Sequence, residues 1–345
     1  MQNDKQVLKN TTIKDVAQLA NVSIATVSRT LSGKDKVSPL LAERVAAAMK
    51  ELQYQPNDVA RALKIKESRS IGLMIPDIEN PFFPALVRGV QDAAKIHNYA
   101  VILCNTDGRL EEERNYIHFL YSKRVDGIVF TDSVYNKQSI SLLDSLGIPV
   151  VLLDRRVSGI HASTVTSDNR LGAFLATEHL IELGKKRIAF ISGPLKLSSG
   201  ADRASGYQDA LVRYNISYNK NLAFIGAFTY ESSYKAVEDL LFSREKFDAV
   251  FASNDLMAIG VIECLAKYGI RVPEDVAVVG FDDIRMAAWY KPLLTTIRQP
   301  VYDMGQYAVK LLVEHITGVR ETYYEKIFKP ELIIRQSSGS VEERK

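Results

Sequence analysis

The sequence predicts an α/β protein in which a small all-helical unit precedes two lobes of doubly wound parallel sheet. Within the first 52 residues, apolar side chains repeat at helical spacing. From Ser70 onward, near-continuous apolar strands alternate with amphipathic helices. Strands that are apolar along their length belong to parallel sheets covered by helices on both faces. The alternation runs through about 270 residues, more than one sheet usually holds, which predicts two lobes.

The amino-terminal unit begins with two predicted helices joined by a tight corner. Thr12 is a suitable N-cap for the first helix. Asn21 accepts the left-handed conformation that such a corner needs. Ser23 can then cap a second helix over 24–31 through its hydroxyl. The apolar stripe of the first helix consists of Ile13, Val16, Ala17 and Ala20.

The second helix carries side chains suited to the major groove of DNA. Val27 and Leu31 share the face that packs on the first helix. Arg29 can bind a guanine edge through two hydrogen bonds, and the small residues beside it can contact thymine methyl groups and phosphates. A three-helix bundle without a ligand is the alternative. The predicted DNA-contacting residues of this unit are Thr12, Ser23, Ile24, Ala25, Thr26, Ser28, Arg29 and Lys36.

The distribution of charge favours DNA binding over an inert bundle. Residues 1–69 carry 12 Lys and Arg against 7 Asp and Glu, whereas the rest of the chain carries 32 and 34. The cationic excess therefore lies on the helical unit. Such an excess is typical of proteins whose affinity comes from counterion release at phosphates.

Three segments, in order, make the chain resemble the LacI family of transcription regulators: IKDVAQLANVSIATVSRTL, a third predicted helix over 37–52, and YQPNDVARAL. The resemblance covers the whole length and departs at Asn21, where the family usually has Gly; both residues accept the turn. It implies a DNA-binding domain at 1–56, a hinge helix and linker at 57–68, and a sensing and dimerisation domain at 69–345. It also implies minor-groove contacts by Asn57, Ala60 and Leu63, with Leu63 as a wedge between base steps.

For the larger domain, the resemblance implies the periplasmic-binding-protein-like fold with crossings near residues 167, 296 and 328. The first lobe would hold 69–166 and 297–327, and the second 167–296 and 328–345. A ligand is expected between the lobes at the carboxyl ends of the strands. The predicted strands are SIGLMIPDI, AVILCNTD, GIVFTDS, PVVLLDR, RIAFISG, AFIGAF, AVFASND, VAVVGFDD, TTIRQP and ELIIRQ.

Charged, amide and aromatic side chains follow these strands, which is the composition of a sugar site. The set is similar, position by position, to that of ribose-binding proteins with this fold. The motifs NPFF, ASND, GFDD and TIRQP nevertheless occur across the regulator family whatever the effector. Asp77, Asp168 and Asp283 are assigned to caps, turns or supporting positions. The predicted ligand-binding residues are Asn80, Phe82, Phe83, Asp154, Arg155, Ser199, Arg203, Phe228, Asn254, Asp282 and Gln299.

Catalytic and metal motifs do not emerge from the sequence. It contains no GxxxxGK[ST], HExxH or GxSxG, and its five histidines lack metal-ligand spacing, so we predict no enzymatic activity, metal or cofactor. Cys104 and Cys264 lie in apolar contexts and are expected to be buried, inert thiols. The polar start MQNDKQVLKN and the lack of a membrane-length apolar run predict a cytoplasmic protein.

The features together predict a homodimeric repressor that binds double-stranded, pseudo-palindromic operator DNA and is released by a small sugar effector, ribose or a similar pentose. No leucine heptad follows the last strand, which favours a dimer over a tetramer. Two alternatives remain: a catabolite-control regulator activated by a phosphocarrier protein, and a purine- or hexose-responsive member of the family. An enzyme on the same α/β scaffold is disfavoured by the missing motifs.

Overall fold

The structure is a computed structural model that describes residues 11–32, 37–54, 68–131, 136–157, 160, 162–243 and 245–339. Contacts divide the chain into two compact units, Met1–Ser68 and Arg69–Lys345. Within the described residues, no helix is long and apolar enough to cross a membrane. The hinge helix predicted over 57–65 lies outside the described residues, as do Lys36, Asn57, Ala60 and Leu63.

The first unit consists of three helices around a small core: α1 (Ile13–Leu19), α2 (Ile24–Ser32) and α3 (Pro39–Glu51). The third helix begins two residues later than predicted because Ser38 occupies its N-cap and Pro39 its first turn, where a missing N–H costs nothing. Val16, Val27 and Val45, one from each helix, are fully buried. The helical unit and its apolar stripe are therefore confirmed.

The second unit contains two six-stranded sheets, each the centre of one lobe. In the sheet of the first lobe all pairs are parallel, in the order β11-β5-β4-β3-β1-β2. Its strands are β1 (Ser70–Ile75), β2 (Ala100–Asn105), β3 (Gly127–Thr131), β4 (Val150–Leu153), β5 (Ser163–Ser167) and β11 (Glu325–Phe328).

The sheet of the second lobe has the order β12-β10-β9-β8-β6-β7, and β12 is antiparallel to its neighbour while the other pairs are parallel. The doubly wound architecture predicted from the sequence is confirmed. The strands of this sheet are β6 (Ile188–Ser192), β7 (Ala223–Ile225), β8 (Ala249–Ala252), β9 (Ala277–Asp282), β10 (Thr295–Arg298) and β12 (Glu331–Ile333).

Helices cover both faces of each sheet, and the alternation along one strand shows how. Ile71 and Leu73 of β1 belong to one buried cluster, whereas Met74 belongs to the cluster on the opposite face. The helices are α4 (Phe82–Ile96), α5 (Leu110–Ser122), α6 (Asn136–Ser145), α7 (Asn169–Glu182), α8 (Ser198–Arg213), α9 (Tyr230–Phe242), α10 (Asp255–Lys267) and α11 (Val301–Ile316).

The predicted lobe boundaries require small corrections. Ser167 pairs with Phe328 in the sheet of the first lobe, although both were placed in the second lobe. Ile297 and Arg298 pair with β9 in the second lobe, although both were placed in the first. The chain leaves a sheet only after the last residue of a strand, and side-chain pattern does not show to which sheet that residue is hydrogen-bonded. The strands β5 and β11 themselves were absent from the predicted set.

Candidate functional site

The amino-terminal unit starts with a capping box. The backbone N–H of Thr12 and its hydroxyl both donate to the Asp15 carboxylate, at 2.8 and 2.7 Å. The Ser23 hydroxyl oxygen accepts from the N–H of Thr26 at 3.1 Å and caps α2 as predicted. These contacts fix the starts of both helices, because they satisfy backbone N–H groups at the amino ends that have no hydrogen-bond partner within the helix.

The corner between α1 and α2 is left-handed at Asn21, with φ of 48°, as predicted for this residue. Sequence reasoning missed the side chain that holds the corner. The guanidinium of Arg44 on α3 donates to the carbonyl oxygens of Ala20 and Asn21 at 2.6 and 3.1 Å. A cation at the carboxyl end of α1 also complements the dipole of that helix.

The face of α2 that points away from the small core carries the predicted DNA-contacting residues. Val27 is fully buried, whereas Ile24 is 45% exposed. Ser23, Ala25 and Arg29 are exposed, and Thr26 and Ser28 are half-buried. The helix therefore presents one cation, two apolar groups and three hydroxyls to the surroundings, which are groups that read base edges and bind phosphates.

In the larger unit, the carboxyl ends of strands from both sheets surround a small cavity. We call it the inner cavity. It lies between the lobes, where the fold rule places ligands. Gln299 of the predicted set does not line it, but its amide N–H donates to Asp282 at 2.8 Å. The residues that line the cavity are Asn80, Phe82, Phe83, Asp154, Arg155, Ser199, Arg203, Phe228, Asn254 and Asp282.

Two carboxylates and two guanidinium groups balance each other in the inner cavity. Arg155 lies 3.3 Å from Asp154, and Arg203 lies 3.5 Å from Asp282. Burial raises the pKa of Asp154, and it raises the pKa of Asp282 to about 7 against the opposing effect of Arg203. Burial likewise lowers the pKa of Arg203. These groups therefore lack the water that would solvate them, and hydroxyl groups of a ligand could replace it.

Arg203 is held by neighbours that the sequence did not indicate. Its Nε donates to Asn169 Oδ1 at 2.8 Å, and its Nη1 donates to the carbonyl oxygen of Ser253. The ring of Phe281 lies 3.7 Å from the guanidinium carbon, stacked beneath it. Helix α8 begins at Ser198, so the side chain of Arg203 projects from its second turn.

Aromatic rings close the inner cavity on two sides. Phe82 and Phe83 both line it, with ring centroids 5.2 Å apart in an edge-to-face arrangement, and both also belong to the core of the first lobe. Phe228 comes from the second lobe with a positive φ of 63°. A Cβ at Gly193 would lie 2.1 Å from its ring, so only glycine admits this position of Phe228.

Two of the predicted amide ligands already use part of their hydrogen-bonding capacity within the protein. The side-chain oxygen of Asn254 caps α10 by accepting from Met257 N–H at 2.9 Å, and its amide N–H donates to the Phe228 carbonyl at 3.0 Å. The side-chain oxygen of Asn80 accepts from the N–H of Phe82 at 3.1 Å. Both residues therefore shape the cavity wall as well as lining it.

The corner that carries Asp282 rests on a buried carboxyl group of the neighbouring helix α10. Asp282 and Asp283 have φ of 113° and 54°, a costly conformation for residues other than glycine. Asp255 accepts from the N–H of Ile284 at 2.8 Å and from the hydroxyl of Thr296 at 2.5 Å. Burial raises the pKa of Asp255 well above its ordinary value. Sequence reasoning missed this residue because its partners are distant in the chain.

The three carboxylates assigned to supporting positions have such contacts. Asp168 caps α7 by accepting from Leu171 N–H at 2.9 Å. Asp77 accepts from Glu79 N–H at 2.9 Å. Asp283 lies 2.6 Å from both Arg298 and Arg335, which ties the corner to the last described segment of the chain.

Family models and curated proteins resemble both units. A model for bacterial regulatory proteins of the lacI family matches residues 12–57, and one for a periplasmic binding protein-like domain matches residues 177–338. The ribose operon repressor of Halalkalibacterium halodurans is 40% identical over 328 residues, which cover 95% of this chain and 97% of that protein. The HTH-type transcriptional repressor PurR of Haemophilus influenzae is 38% identical, covering 96% of this chain and 99% of that protein. Catabolite control protein A of Priestia megaterium is 38% identical, covering 89% and 93%.

Solved structures also resemble the chain. A lac repressor dimer bound to operator and the anti-inducer ONPF is 28% identical with a TM-score of 0.87, covering 96% of this chain and 100% of that one. A regulator of the same family from Enterococcus faecium, with bound ribose, is 32% identical with a TM-score of 0.70, covering 78% and 98%.

Proposed function

Because this chain belongs to the LacI family of bacterial regulatory proteins, which are ligand-responsive DNA-binding transcription regulators rather than enzymes, we propose that it is a dimeric repressor released from its operator by a small sugar. Ribose or a similar pentose is the proposed effector. Two copies of the α2 face would bind the half-sites of a pseudo-palindromic operator. No cofactor takes part, and the proposed location is the cytoplasm.

The observation that carries the effector class is the inner cavity, where ten predicted residues meet. Paired charges can bind hydroxyl groups in pairs, and the faces of Phe82, Phe83 and Phe228 can cover the apolar C–H face of the ring. The ribose named for two of the similar proteins agrees with this composition.

The proposed mechanism couples closure of the lobes to release of DNA. The sugar contacts both lobes, so it favours the closed arrangement through its differential affinity for the two states. Closure would change the spacing between the two DNA-binding domains of a dimer, and the affinity of the dimer for its operator would fall. The ligand can shift this equilibrium only as far as its preference for the closed state allows.

The test uses the full chain and an operator fragment selected from a random-sequence DNA pool. Fluorescence anisotropy should show that ribose weakens operator binding and that Asp282→Asn keeps operator binding but loses the response. Glucose, hypoxanthine and a seryl-phosphorylated phosphocarrier protein are tested in parallel. If operator binding responds only to glucose or only to hypoxanthine, that compound replaces the pentose as the proposed effector. If it responds only to the phosphocarrier protein, the catabolite-control alternative is favoured.

A further inference from the structure

Two of the places where the chain crosses between the lobes carry a buried amide side chain. Asn169 comes shortly after Ser167, the last residue of β5, and is the first residue of α7. Gln299 follows Arg298, the last residue of β10, and precedes α11. Asn169 is 3% exposed and Gln299 is 4% exposed. Each amide therefore lies in the interior, where the chain passes from one sheet to the other.

Asn169 joins Arg203 of the inner cavity to the first lobe. Its side-chain oxygen accepts from Arg203 Nε at 2.8 Å, and its side-chain N–H donates to the carbonyl oxygen of Ser167 at 3.2 Å. A guanidinium only donates and a carbonyl only accepts, so these two partners fix the orientation of the amide. Ser167 pairs with Phe328 in the sheet of the first lobe, whereas Arg203 projects from α8 of the second lobe. One side chain therefore spans the crossing.

Gln299 makes a similar link to the carboxylate that faces Arg203. Its amide N–H donates to Asp282 at 2.8 Å, and its backbone carbonyl accepts from the N–H of Val301, the first residue of α11, at 2.8 Å. Arg203 lies 3.5 Å from Asp282. Residues of two crossings thus hold the two members of this charge pair, so a ligand that moves the pair also acts on the crossings.

The other contacts that hold Arg203 stay within the second lobe. Phe281 of β9 lies 3.7 Å from the guanidinium carbon, and the carbonyl oxygen that accepts from Arg203 Nη1 belongs to Ser253, directly after β8. Among the described hydrogen bonds and ring contacts of Arg203, the one to Asn169 leads to the first lobe. Asn169 and Phe281 therefore both support the same arginine, but only Asn169 also contacts the other lobe.

We infer that Asn169 is a positioning residue that couples the inner cavity to the angle between the lobes. The inference rests on the proposed sugar effector and names a residue that transmits its effect to the DNA-binding domains. A residue that only held Arg203 would change the sugar concentration needed for release from the operator. A residue that couples the lobes changes the extent of release at saturation, because that extent is set by the differential affinity of the ligand for the two states.

The test measures operator affinity of the full chain by fluorescence anisotropy during a titration with ribose. Asn169→Asp keeps an oxygen that accepts from Arg203 but loses the N–H that donates to Ser167. Its ribose-induced fall in operator affinity, taken at saturation, should be at least about threefold smaller than that of the unaltered chain. Asn169→Ala adds no charge and loses both contacts, so it should show the same reduced release and also require more ribose.

Phe281→Leu is the matched control, since it loosens Arg203 from a position within the second lobe. It should raise the ribose concentration at half-maximal release and leave the release at saturation unchanged. Operator binding without ribose, together with urea denaturation, shows that each variant is folded.

Two results would overturn the inference: Asn169 variants that reach the same release at saturation as the unaltered chain, or a Phe281→Leu variant whose release at saturation falls as far as theirs. Failure of the proposed pentose effector gives a different result, in which ribose leaves operator binding of the unaltered chain unchanged at every concentration. The titrations are then made with glucose or hypoxanthine, whichever changes the operator affinity of the unaltered chain, and the same difference between the variants is expected.

Discussion

Asp282 illustrates the energetic cost of burying one carboxyl group in the inner cavity. Its carboxyl is buried beside that of Asp154, and its backbone has a positive φ. Arg203 compensates only in part, since burial still raises the pKa of Asp282 to about 7. A ligand that supplies hydroxyl donors to this carboxylate would remove part of the cost, which ties ligand affinity to the state of one group.

The raised pKa predicts a pH dependence of stability. An unfolded Asp titrates at about pH 3.9. Between there and pH 7 the folded chain holds a proton on Asp282 that the unfolded chain has lost, so this stabilising contribution is complete at low pH and disappears as the pH rises through 7. The free energy of unfolding should fall by up to about 1.4 kcal/mol per pH unit from this group, as measured by urea denaturation without ligand.

The variant Asp282→Asn should reduce the slope of the free energy of unfolding against pH. The slope should not vanish, because burial also raises the pKa values of Asp154 and Asp255. Asp209→Asn is the control. Its hydrogen bond to Arg170 lowers its pKa, so its contribution is present above the unfolded value and is lost only in acid. An Asp282→Asn slope equal to that of the unaltered chain would show that this carboxyl is ionised throughout.

Arg29 carries the prediction for sequence recognition. It is exposed on α2 beside Ile24 and Ala25. Arg29→Ala should cost about 1–3 kcal/mol of operator affinity at one base pair and relax the preference there, because a bidentate contact to guanine would be lost. Anisotropy titrations against single-base operator variants measure this loss. An equal loss on every sequence would show that Arg29 contacts phosphate alone.

At the scale of elements, the strands that sequence reasoning identified are those with long apolar runs. Strands β1 and β9 are examples, since their residues are buried on both faces of the sheet. Two first-lobe strands were missed for a physical reason. β5 reads STVTS, so its buried positions include hydroxyl groups, and β11 reads EKIF with alternate residues exposed at the sheet edge. Neither pattern is distinguishable from a polar loop by hydrophobicity.

The residues of the inner cavity were predictable to a similar extent. Residue types at the ends of apolar strands indicated which side chains meet there, since parallel strands end at one edge. The supporting contacts of Asp255, Phe281 and Asn169 were not predictable, because they join elements far apart in sequence. The double use of Asn254 as helix cap and cavity wall was also hidden, since a capping residue and a ligand-binding residue look alike in sequence.

Helix capping by Asp168 gives a prediction at this scale. Its carboxylate accepts from Leu171 N–H and lies at the amino end of α7, where a negative charge is favourable. Asp168→Ala should lower the free energy of unfolding by about 0.5–2 kcal/mol. Asp168→Asn, which keeps the accepting oxygen, should retain most of that stability in the same urea titration. Equal losses in the two variants would show that charge, and not the cap bond, stabilises the helix.

For the molecule as a whole, the two lobes are joined across the cleft by a contact beside the inner cavity, since Arg156, Ser198 and Asp202 are neighbours in sequence of its lining residues Arg155, Ser199 and Arg203. The backbone N–H of Arg156 in the first lobe donates to Ser198 Oγ at 2.8 Å, and its guanidinium lies 2.6 Å from Asp202 in the second lobe. Both side chains are partly exposed, so the ion pair stabilises the closed arrangement only modestly.

Asp202→Asn should therefore weaken ribose binding about 1.4- to 5-fold, because exposed ion pairs contribute about 0.2–1 kcal/mol. Calorimetry measures the change. Asp209→Asn is a matched control, since it breaks a pair with Arg170 that lies wholly within the second lobe. If both variants lose the same affinity, the effect of Asp202 is not due to closure.

The crossings of the chain between the sheets also bear on how the protein is made. The first lobe is built from two separate stretches of chain, and α11, which supplies Met304, Leu311 and Leu312 to its core, is translated after nearly all of the second lobe. A ribosome delivers the chain from the amino end. The apolar face of the first lobe therefore stays uncovered until the second lobe has been synthesised and α11 follows. We expect chaperones to bind this part of the nascent chain longest.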